Sequence, residues 1–150
     1  MRIKQAQPED LSEVARLFNL YRQFYDCDSD LSVATEFISD RMTNRESVIF
    51  LVEQGQGLSK GCGFVQLYPS FCSVEAIKIY ILYDLFVESE ARKQGVAKQL
   101  MNRATEYARA NGAERIDLLT AKDNIAGQRL YESLGYERAN EDFLAYSLVL

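Results

Sequence analysis

The sequence contains no histidine among its 150 residues, and this absence excludes several kinds of enzyme. Ser-His-Asp triads and Cys-His pairs need an imidazole as the general base, so enzymes that use either of them are excluded. A catalytic zinc site is also not expected, because histidine is a usual ligand of such sites, and we predict no metal. Proton transfer must therefore involve carboxylates, tyrosines, lysines, thiols or water.

Cysteines and long apolar runs are also scarce. Cys27, Cys62 and Cys72 form no CxxC or metal-ligand spacing, which indicates reduced thiols in a cytoplasmic protein. No apolar run approaches the ~20 residues that a membrane-spanning helix needs, and residues 1–8 lack the apolar stretch of a signal peptide. The net charge of −5 argues against nonspecific binding to nucleic acid, which depends on clustered Lys and Arg. We therefore expect a cytoplasmic protein with neither a membrane nor a nucleic acid as its partner.

The apolar patterns predict one α/β domain over residues 1–150. Period-two or continuous apolar patterns predict strands at 2–6, 47–53, 63–68, 76–87, 116–120 and 143–150. Helical spacing predicts helices at 8–25, 33–42, 94–111 and 124–134. A glycine-rich turn at 55–61 joins two of the strands, and Pro69 is expected to end the second of them. These ranges give ten of the eleven elements in the predicted order β-α-α-β-β-β-α-β-α-β-β, which describes a mixed, mostly antiparallel central sheet with helices on both faces.

The most informative segment is 84–98, where an apolar strand ends at Val87 and a helix is predicted to begin around Gln94. A helix N-terminus leaves several N–H groups without partners and carries a partial positive charge. Gly95 lacks a side chain that would keep a phosphate away from the main chain. Positive charge comes from Arg92, Lys93 and Lys98. We therefore predict a diphosphate site whose main-chain donors are Gln94, Gly95, Val96, Ala97 and Lys98.

A second segment of interest is the helix at 124–134. Its buried stripe is predicted to contain Ala126, Leu130 and Leu134, at spacings of four residues. A different face presents an amide, a gap and a phenol, through Asn124, Gly127, Gln128 and Tyr131. Such a face is a surface along which a ligand can lie.

Both segments resemble the GNAT superfamily of acyl-CoA-dependent N-acetyltransferases. The first matches the pattern Gln/Arg-x-x-Gly-x-Gly/Ala through Arg92, Gly95 and Ala97. The second matches the pattern Asn-x-x-Ala/Gly-x-x-Leu-Tyr-x-x-x-Gly-Phe/Tyr through Asn124, Gly127, Leu130, Tyr131, Gly135 and Tyr136. The resemblance covers nearly the whole chain. It implies the GNAT fold, with acetyl-CoA (coenzyme A) as the acetyl donor.

The resemblance also implies roles for individual residues. Leu85, Phe86 and Val87 would supply main-chain groups to the pantetheine arm as a pseudo-strand. Asn124 and Gln128 would bind the CoA arm. The Tyr131 hydroxyl would protonate the departing CoA thiolate, as an unperturbed phenol with a pKa of ~10 can. The alternative for Tyr131 is a packing role only.

Asp84 is the candidate general base. It is the one carboxylate in the strand 76–87, and an acid within an apolar strand is costly unless it is paired, exposed or functional. A structural role is an equal alternative, and Tyr80 or Tyr83 could instead hold a water molecule that removes the proton.

The acceptor region is the part that the resemblance describes least. In GNAT proteins the first two helices line the acceptor pocket, and here they offer Tyr21, Phe24, Tyr25 and Asp26, followed by Asp28 and Asp30. These residues could hold an ammonium group, or the acids could form only a solvated loop. The segment 21–25 is similar to the branch with histone and polyamine acetyltransferases, which favours a polycationic amine.

The sequence thus predicts an N-acetyltransferase that transfers an acetyl group from acetyl-CoA to a primary amine of a small molecule or a lysine-like peptide. Direct attack in a ternary complex is expected, because the three cysteines lie outside the CoA motifs. The alternative is a non-catalytic module that senses acyl-CoA. A homodimer and a monomer are both compatible with the sequence.

Overall fold

The secondary structure follows the order β-α-α-β-β-β-α-β-α. The computed structural model describes residues 1–55, 60–139 and 141–150. The helices of this part are α1 (Leu11–Phe24), α2 (Leu31–Thr43), α3 (Val96–Ala110) and α4 (Ile125–Ser133). The strands are β1 (Arg2–Gln5), β2 (Val48–Gln54), β3 (Lys60–Cys72), β4 (Ile77–Val87) and β5 (Arg115–Asp117). Most of the turn predicted at 55–61 lies outside the described residues.

The strands form one sheet in the order β1-β2-β3-β4-β5. Neighbouring strands from β1 to β4 pair antiparallel, whereas β5 pairs parallel to β4, which confirms the mixed, mostly antiparallel sheet. Tyr83 is an extra residue in the β3–β4 ladder, because Leu67 pairs with Leu82 and Gln66 pairs with Asp84. Side chains alternate between the faces of a sheet, so this bulge determines which face Asp84 occupies.

Helices cover both faces of the sheet, as predicted. On one face, Leu17 of α1 and Ile38 of α2 pack in a buried cluster that includes Leu51 of β2. On the other face, Phe50 contacts Tyr107 of α3, with 5.5 Å between the ring centroids. Adjacent residues of a strand point to opposite faces. The helix α3 therefore lies across the sheet from α1 and α2.

The prediction that Pro69 ends its strand is wrong. The strand β3 continues to Cys72, and Pro69 pairs with Tyr80 of β4. The strand β2 pairs with β3 only as far as Leu67, so on that side Pro69 lies beyond the paired part of β2. The missing N–H of proline removes no ladder hydrogen bond where a strand is an edge on that side.

The chain divides into two compact units, residues 1–119 and 120–150. The second unit contains α4 and the segment 143–150, which was predicted to be a strand. Residues 143–150 are all described, and they have no helix or strand and are exposed. An apolar pattern forms a strand only where a neighbour pairs its N–H and C=O groups, and no ladder of the described residues includes these positions. The first nine elements of the predicted order are thus confirmed. Its last two strands are not found in the described part of the chain. The prediction of a single domain is not tested by these units and stays a prediction.

Candidate active site

The segment between β4 and α3 is the predicted diphosphate loop. After Val87, a 3₁₀ turn at Ser89–Ala91 leads into residues 92–95, and α3 follows. Gly95 caps the helix with a φ of +79°, in the left-handed region that favours glycine. The helix begins later than predicted because this conformation of Gly95 interrupts any helix that starts at Gln94.

The N-terminus of α3 offers donors, space and positive charge to an anion. A Cβ atom at Gly95 would meet nothing within 4 Å among the described residues. The first N–H groups of an α-helix have no acceptor within the helix, and here they belong to Val96, Ala97 and Lys98. Lys93 and Lys98 are exposed next to these groups in the chain. The loop therefore has the properties of an anion site.

Two of the predicted ligand residues also stabilise the loop itself. Arg92 Nε donates to the carbonyl oxygen of Val87 at 2.9 Å, and its guanidinium lies 5.9 Å from the centroid of the Phe86 ring. Gln94 Nε2 donates to the carbonyl oxygen of Glu90 at 2.9 Å. Arg92 is exposed, and its guanidinium has further N–H donors for a ligand.

An ion-pair network fixes the beginning of this loop relative to α1. Arg16 Nη1 donates to Glu88 Oε1 at 2.6 Å, and Arg16 Nη2 donates to the carbonyl oxygen of Gly61 at 2.7 Å. The N–H of Gly61 in turn donates to Glu13 Oε2 at 2.8 Å. Because Glu88 directly follows β4, this network holds the first residue of the loop against the sheet.

The outer edge of β4 is paired over a short stretch. The strand β5 pairs with β4 only at residues 79–81. Among the described residues, no strand pairs with this edge at residues 85–87, while their other side pairs with β3. The main chain of residues 85–87 is therefore placed to pair with an extended ligand, as predicted for the pantetheine arm.

Asp84 belongs to a buried polar group on the face that α1 and α2 cover. It is 3% exposed, and Gln66 Nε2, opposite it on β3, donates a short hydrogen bond to Asp84 Oδ2. The Ser47 hydroxyl donates to Gln66 Oε1 at 2.7 Å. From α1, the Tyr21 hydroxyl donates to the carbonyl oxygen of Tyr83 at 3.2 Å. The strand β3, the helix α1 and the residue before β2 thus contribute polar groups around the carboxyl.

Burial raises the pKa of the Asp84 carboxyl above its ordinary value, and hydrogen bonds with Gln66 and Tyr21 oppose part of this shift. Burial, followed by the charge of Asp84, raises the pKa of Tyr21 and raises the pKa of Tyr68 to about 12. Both phenols therefore stay protonated at neutral pH. A carboxyl with a raised pKa is better matched to proton transfer near neutral pH than an exposed one.

In the second unit, the amides of Asn124 and Gln128 hold the start of α4. Asn124 Oδ1 accepts from the N–H of Gly127 at 3.1 Å, and its Nδ2 donates to Thr120 Oγ1 at 3.0 Å. A Cβ atom at residue 127 would lie too close to the amide end of the Asn124 side chain, so that side chain would have to move to accept a larger residue there. Gln128 Nε2 donates to the carbonyl oxygens of residues 121 and 122 at 3.2 Å and 3.0 Å. Both amides therefore have structural hydrogen bonds in addition to the ligand role predicted for them.

Tyr131 lies one helical turn beyond Gly127 and Gln128 on α4. It is half-buried, and its ring centroid lies 6.2 Å from that of Tyr136. This ring contact fits a packing role for Tyr131, and it is equally compatible with a hydroxyl that acts as a proton donor. The donor role stays a prediction.

The prediction of a buried stripe on α4 is wrong. Ala126 is exposed, and Leu130 and Leu134 are only half-buried. Helical spacing shows which side chains share a face, but burial of that face depends on what packs against it.

The predicted acceptor residues lie together at the end of α1. The rings of Tyr21 and Phe24 both contact that of Tyr25 edge to face, with centroid distances of 5.1 Å and 5.4 Å. Phe24 is 60% exposed and Tyr25 is 50% exposed, and the exposed Asp26 follows with a φ of +63°. Because Tyr21 also interacts with Asp84, this aromatic group adjoins the candidate base.

One acid of the predicted acidic run has a structural role. Asp30 caps α2, because its Oδ1 accepts from the N–H of Val33 at 3.0 Å. Its own N–H donates to Asn19 Oδ1 at 2.9 Å. Asp26 and Asp28 therefore remain as the acids of this run that are exposed and outside the helix cap.

Three residues of the buried group were missed in the sequence. Gln66 is a polar residue within the apolar strand 63–68, which is the same signal that selected Asp84, so it could have been found. Ser47 and Tyr68 could not be selected in this way, because their proximity to Gln66 and Asp84 depends on how the strands pair. Within the described part of the chain, no group of Cys, Asp and Glu could hold a metal ion. In that same part, no helix has the length and apolar character to cross a membrane.

Comparison with known proteins finds relatives over nearly the whole chain. The model of the acetyltransferase (GNAT) family matches residues 14–136. YhfO, an uncharacterized N-acetyltransferase of Bacillus subtilis, is 43% identical over 148 residues, which are 99% of this chain and 97% of YhfO. The crystal structure of a probable acetyltransferase is 39% identical with a TM-score of 0.90, and covers 100% of this chain and 98% of that one. An aminoglycoside acetyltransferase from a soil metagenome, at 18% identity and a TM-score of 0.76 over 99% of this chain and 95% of its own, shares the fold.

Proposed function

The chain belongs to the acetyltransferase (GNAT) family, and we propose that it transfers an acetyl group from acetyl-CoA to a primary amine. The acceptor class is a small molecule or a lysine-like peptide, and the amine attacks directly in a ternary complex. The observation that carries this proposal is the loop at residues 92–98, which combines a glycine-capped helix N-terminus with exposed lysines.

The residues of this loop fit a CoA diphosphate. The space beside Gly95 admits a phosphate, and the amides of residues 94–98 with Lys93 and Lys98 supply donors and charge. The open edge of β4 at residues 85–87 supplies main-chain groups to the amide-bearing pantetheine arm. When bound there, acetyl-CoA supplies the thioester that the amine attacks.

Asp84 removes the proton from the acceptor ammonium in this proposal. Its burial raises its pKa, and it lies beside the aromatic group of Tyr21, so it can accept a proton close to where an amine would be held. The Tyr131 hydroxyl donates a proton to the sulfur of the leaving thiolate, a role supported by its position in the family motif. Asn124 and Gln128 order the start of α4 and so hold Tyr131.

The acceptor is held by the aromatic end of α1. The rings of Tyr21, Phe24 and Tyr25 offer faces to an ammonium group, and Asp26 adds negative charge. An acceptor with more than one positive charge fits this combination, because one ammonium can be bound while another loses its proton and attacks.

The test is CoA release from acetyl-CoA with polyamines, aminoglycosides, amino acids and lysine peptides as acceptors. CoA is best quantified by chromatography, because a thiol reagent would also react with the exposed Cys27. Release that depends on an amine, with an acetylated product seen by mass spectrometry, supports the proposal. Binding of CoA without release for any amine would instead identify a sensing module, and absence of binding would refute the site.

A further inference from the structure

A continuous line of hydrogen bonds leads from Ser47, just before β2, across β3 to Asp84 on β4. The Ser47 hydroxyl donates to Gln66 Oε1 at 2.7 Å, and Gln66 Nε2 donates to Asp84 Oδ2. Gln66 is fully buried at 0% exposure. A buried amide at this position is costly unless both of its ends are bonded, and here both are.

The direction of these bonds is determined by their chemistry. A side-chain amide has one donor end and one acceptor end, and an ionised carboxylate can only accept. Because the Ser47 hydroxyl occupies Gln66 Oε1, the NH₂ end of Gln66 faces Asp84. A primary amide neither gains nor loses a proton in the working pH range, so Gln66 cannot compete with Asp84 for the proton of the acceptor.

We propose that Gln66 is a positioning residue for the reaction: its amide, oriented by Ser47, holds the Asp84 carboxylate in the orientation and ionised form that proton removal needs. This inference rests on the proposed function, in which Asp84 is the base. Gln66 itself touches neither the acceptor nor acetyl-CoA in this scheme and acts only through Asp84.

Tyr21 also favours the ionised form of Asp84, but its effect is smaller than that of Gln66. Tyr21 approaches from α1, and the single proton of its hydroxyl is donated to the carbonyl oxygen of Tyr83. The pKa values of Tyr68, on β3, and of Tyr21 are both raised, so both stay neutral phenols at neutral pH and neither competes with Asp84 for the proton of the acceptor. Gln66 is thus the side chain whose donor is committed to the carboxylate, and its hydrogen bond lowers the pKa of Asp84 against the larger effect of burial.

The test replaces Gln66 by methionine, which has a similar length and no N–H donor. The acid limb of kcat/KM should move to higher pH, and kcat at neutral pH should fall by about 10- to 100-fold, the range for loss of a hydrogen bond to a charged group. KM for acetyl-CoA should not change. The titration of the Asp84 carboxyl, followed by ¹³C NMR and assigned with Asp84→Asn, should move upward in the same variant without any acceptor present.

Ser47 provides the second variant, in case Gln66→Met does not fold. Ser47→Ala leaves Gln66 Oε1 without its donor, so the Asp84 titration should move in the same direction by a smaller amount, and Ser47→Thr should restore it. The matched control is Asn19→Leu. Asn19 is also a buried amide with two hydrogen bonds, to Ser29 and Asp30, and its loss should lower the melting temperature without moving the Asp84 titration.

The possible results separate this inference from the proposed function. If Asp84→Asn keeps full activity, the proposed function is wrong about the base, whatever Gln66 does. If Asp84→Asn is inactive while folded Gln66→Met, or folded Ser47→Ala, leaves both the NMR titration and the acid limb unmoved, the inference about Gln66 is overturned and the base is retained. A loss of kcat in Gln66→Met without any shift of the acid limb or of the titration also overturns it.

Discussion

Replacing Gly95 by glutamate tests whether the loop between β4 and α3 binds a diphosphate. The variant places a carboxylate and its side chain in the open space beside the helix N-terminus. Gly112, just beyond the other end of α3, is a matched control. The two glycines have φ values of +79° and +80°, and a Cβ at either would meet nothing within 4 Å among the described residues.

The expected sizes of the two effects follow from this match. A residue with a side chain in the left-handed region costs about 1–2 kcal/mol, so both variants should lose a similar amount of stability. Only the substitution at Gly95 removes diphosphate contacts. Losing two hydrogen bonds to a charged group, at about 1.5 kcal/mol each, corresponds to about 10²-fold weaker binding of CoA, and repulsion between the new carboxylate and the phosphates adds to this.

The assay is titration calorimetry with CoA on both variants and the parent, with melting curves for each. We expect Gly112→Glu to bind CoA like the parent and Gly95→Glu to bind at least about 10²-fold more weakly at equal melting temperature. Equal CoA affinity in the two variants would show that the diphosphate binds elsewhere, and the loop would then be a surface turn with solvated charges.

Three further predictions concern the chemistry and the acceptor. Asp84→Asn should lower kcat at neutral pH by about 10²–10⁴-fold with unchanged CoA affinity in calorimetry. Because the folded pKa of Asp84 is raised, the difference in free energy of unfolding, parent minus variant, should fall as pH rises from about 3.9 through that pKa. Tyr131→Phe should lower kcat in stopped assays by about 10²–10⁴-fold while KM for acetyl-CoA stays the same, and full turnover would assign this ring to packing. For a polycationic acceptor, KM should rise with salt concentration and should also rise in the double variant Asp26→Asn, Asp28→Asn, which leaves the helix cap at Asp30 intact. A KM that changes neither with salt nor in this variant would mean that the two acids are only solvated.

The features that the sequence predicted well are those determined by neighbouring residues. The loop at 92–98 and the helix after it depend on glycine, charge and helical spacing within a few residues, and in the structure Leu100, Ala104 and Ala108 form a buried face of α3. The start of α3 was placed too early, because the left-handed conformation of Gly95 is a property of the folded backbone. Local patterns predict where an element lies more reliably than where it begins.

The features that the sequence predicted poorly depend on distant partners. Pro69 has the usual signal for the end of a strand, yet β3 continues because β2 does not pair with it at that position. The apolar segment 143–150 has the pattern of a strand, but no ladder of the described residues includes it. In both cases the composition of the segment is read correctly, and the outcome is decided by which strand lies beside it.

The position of Asp84 shows the same dependence at the candidate site. From Ile77 to Leu82 the β3–β4 ladder has one register, in which Asp84 would lie opposite Val65 and face α3. The extra residue Tyr83 shifts the register by one, so Asp84 instead lies opposite Gln66 and faces α1. Without that shift the carboxyl would have neither its amide donor nor its place beside Tyr21. A single unpaired residue in the ladder therefore decides whether this acid is a buried group with partners or a buried charge without them, and the sequence carries no local signal of it.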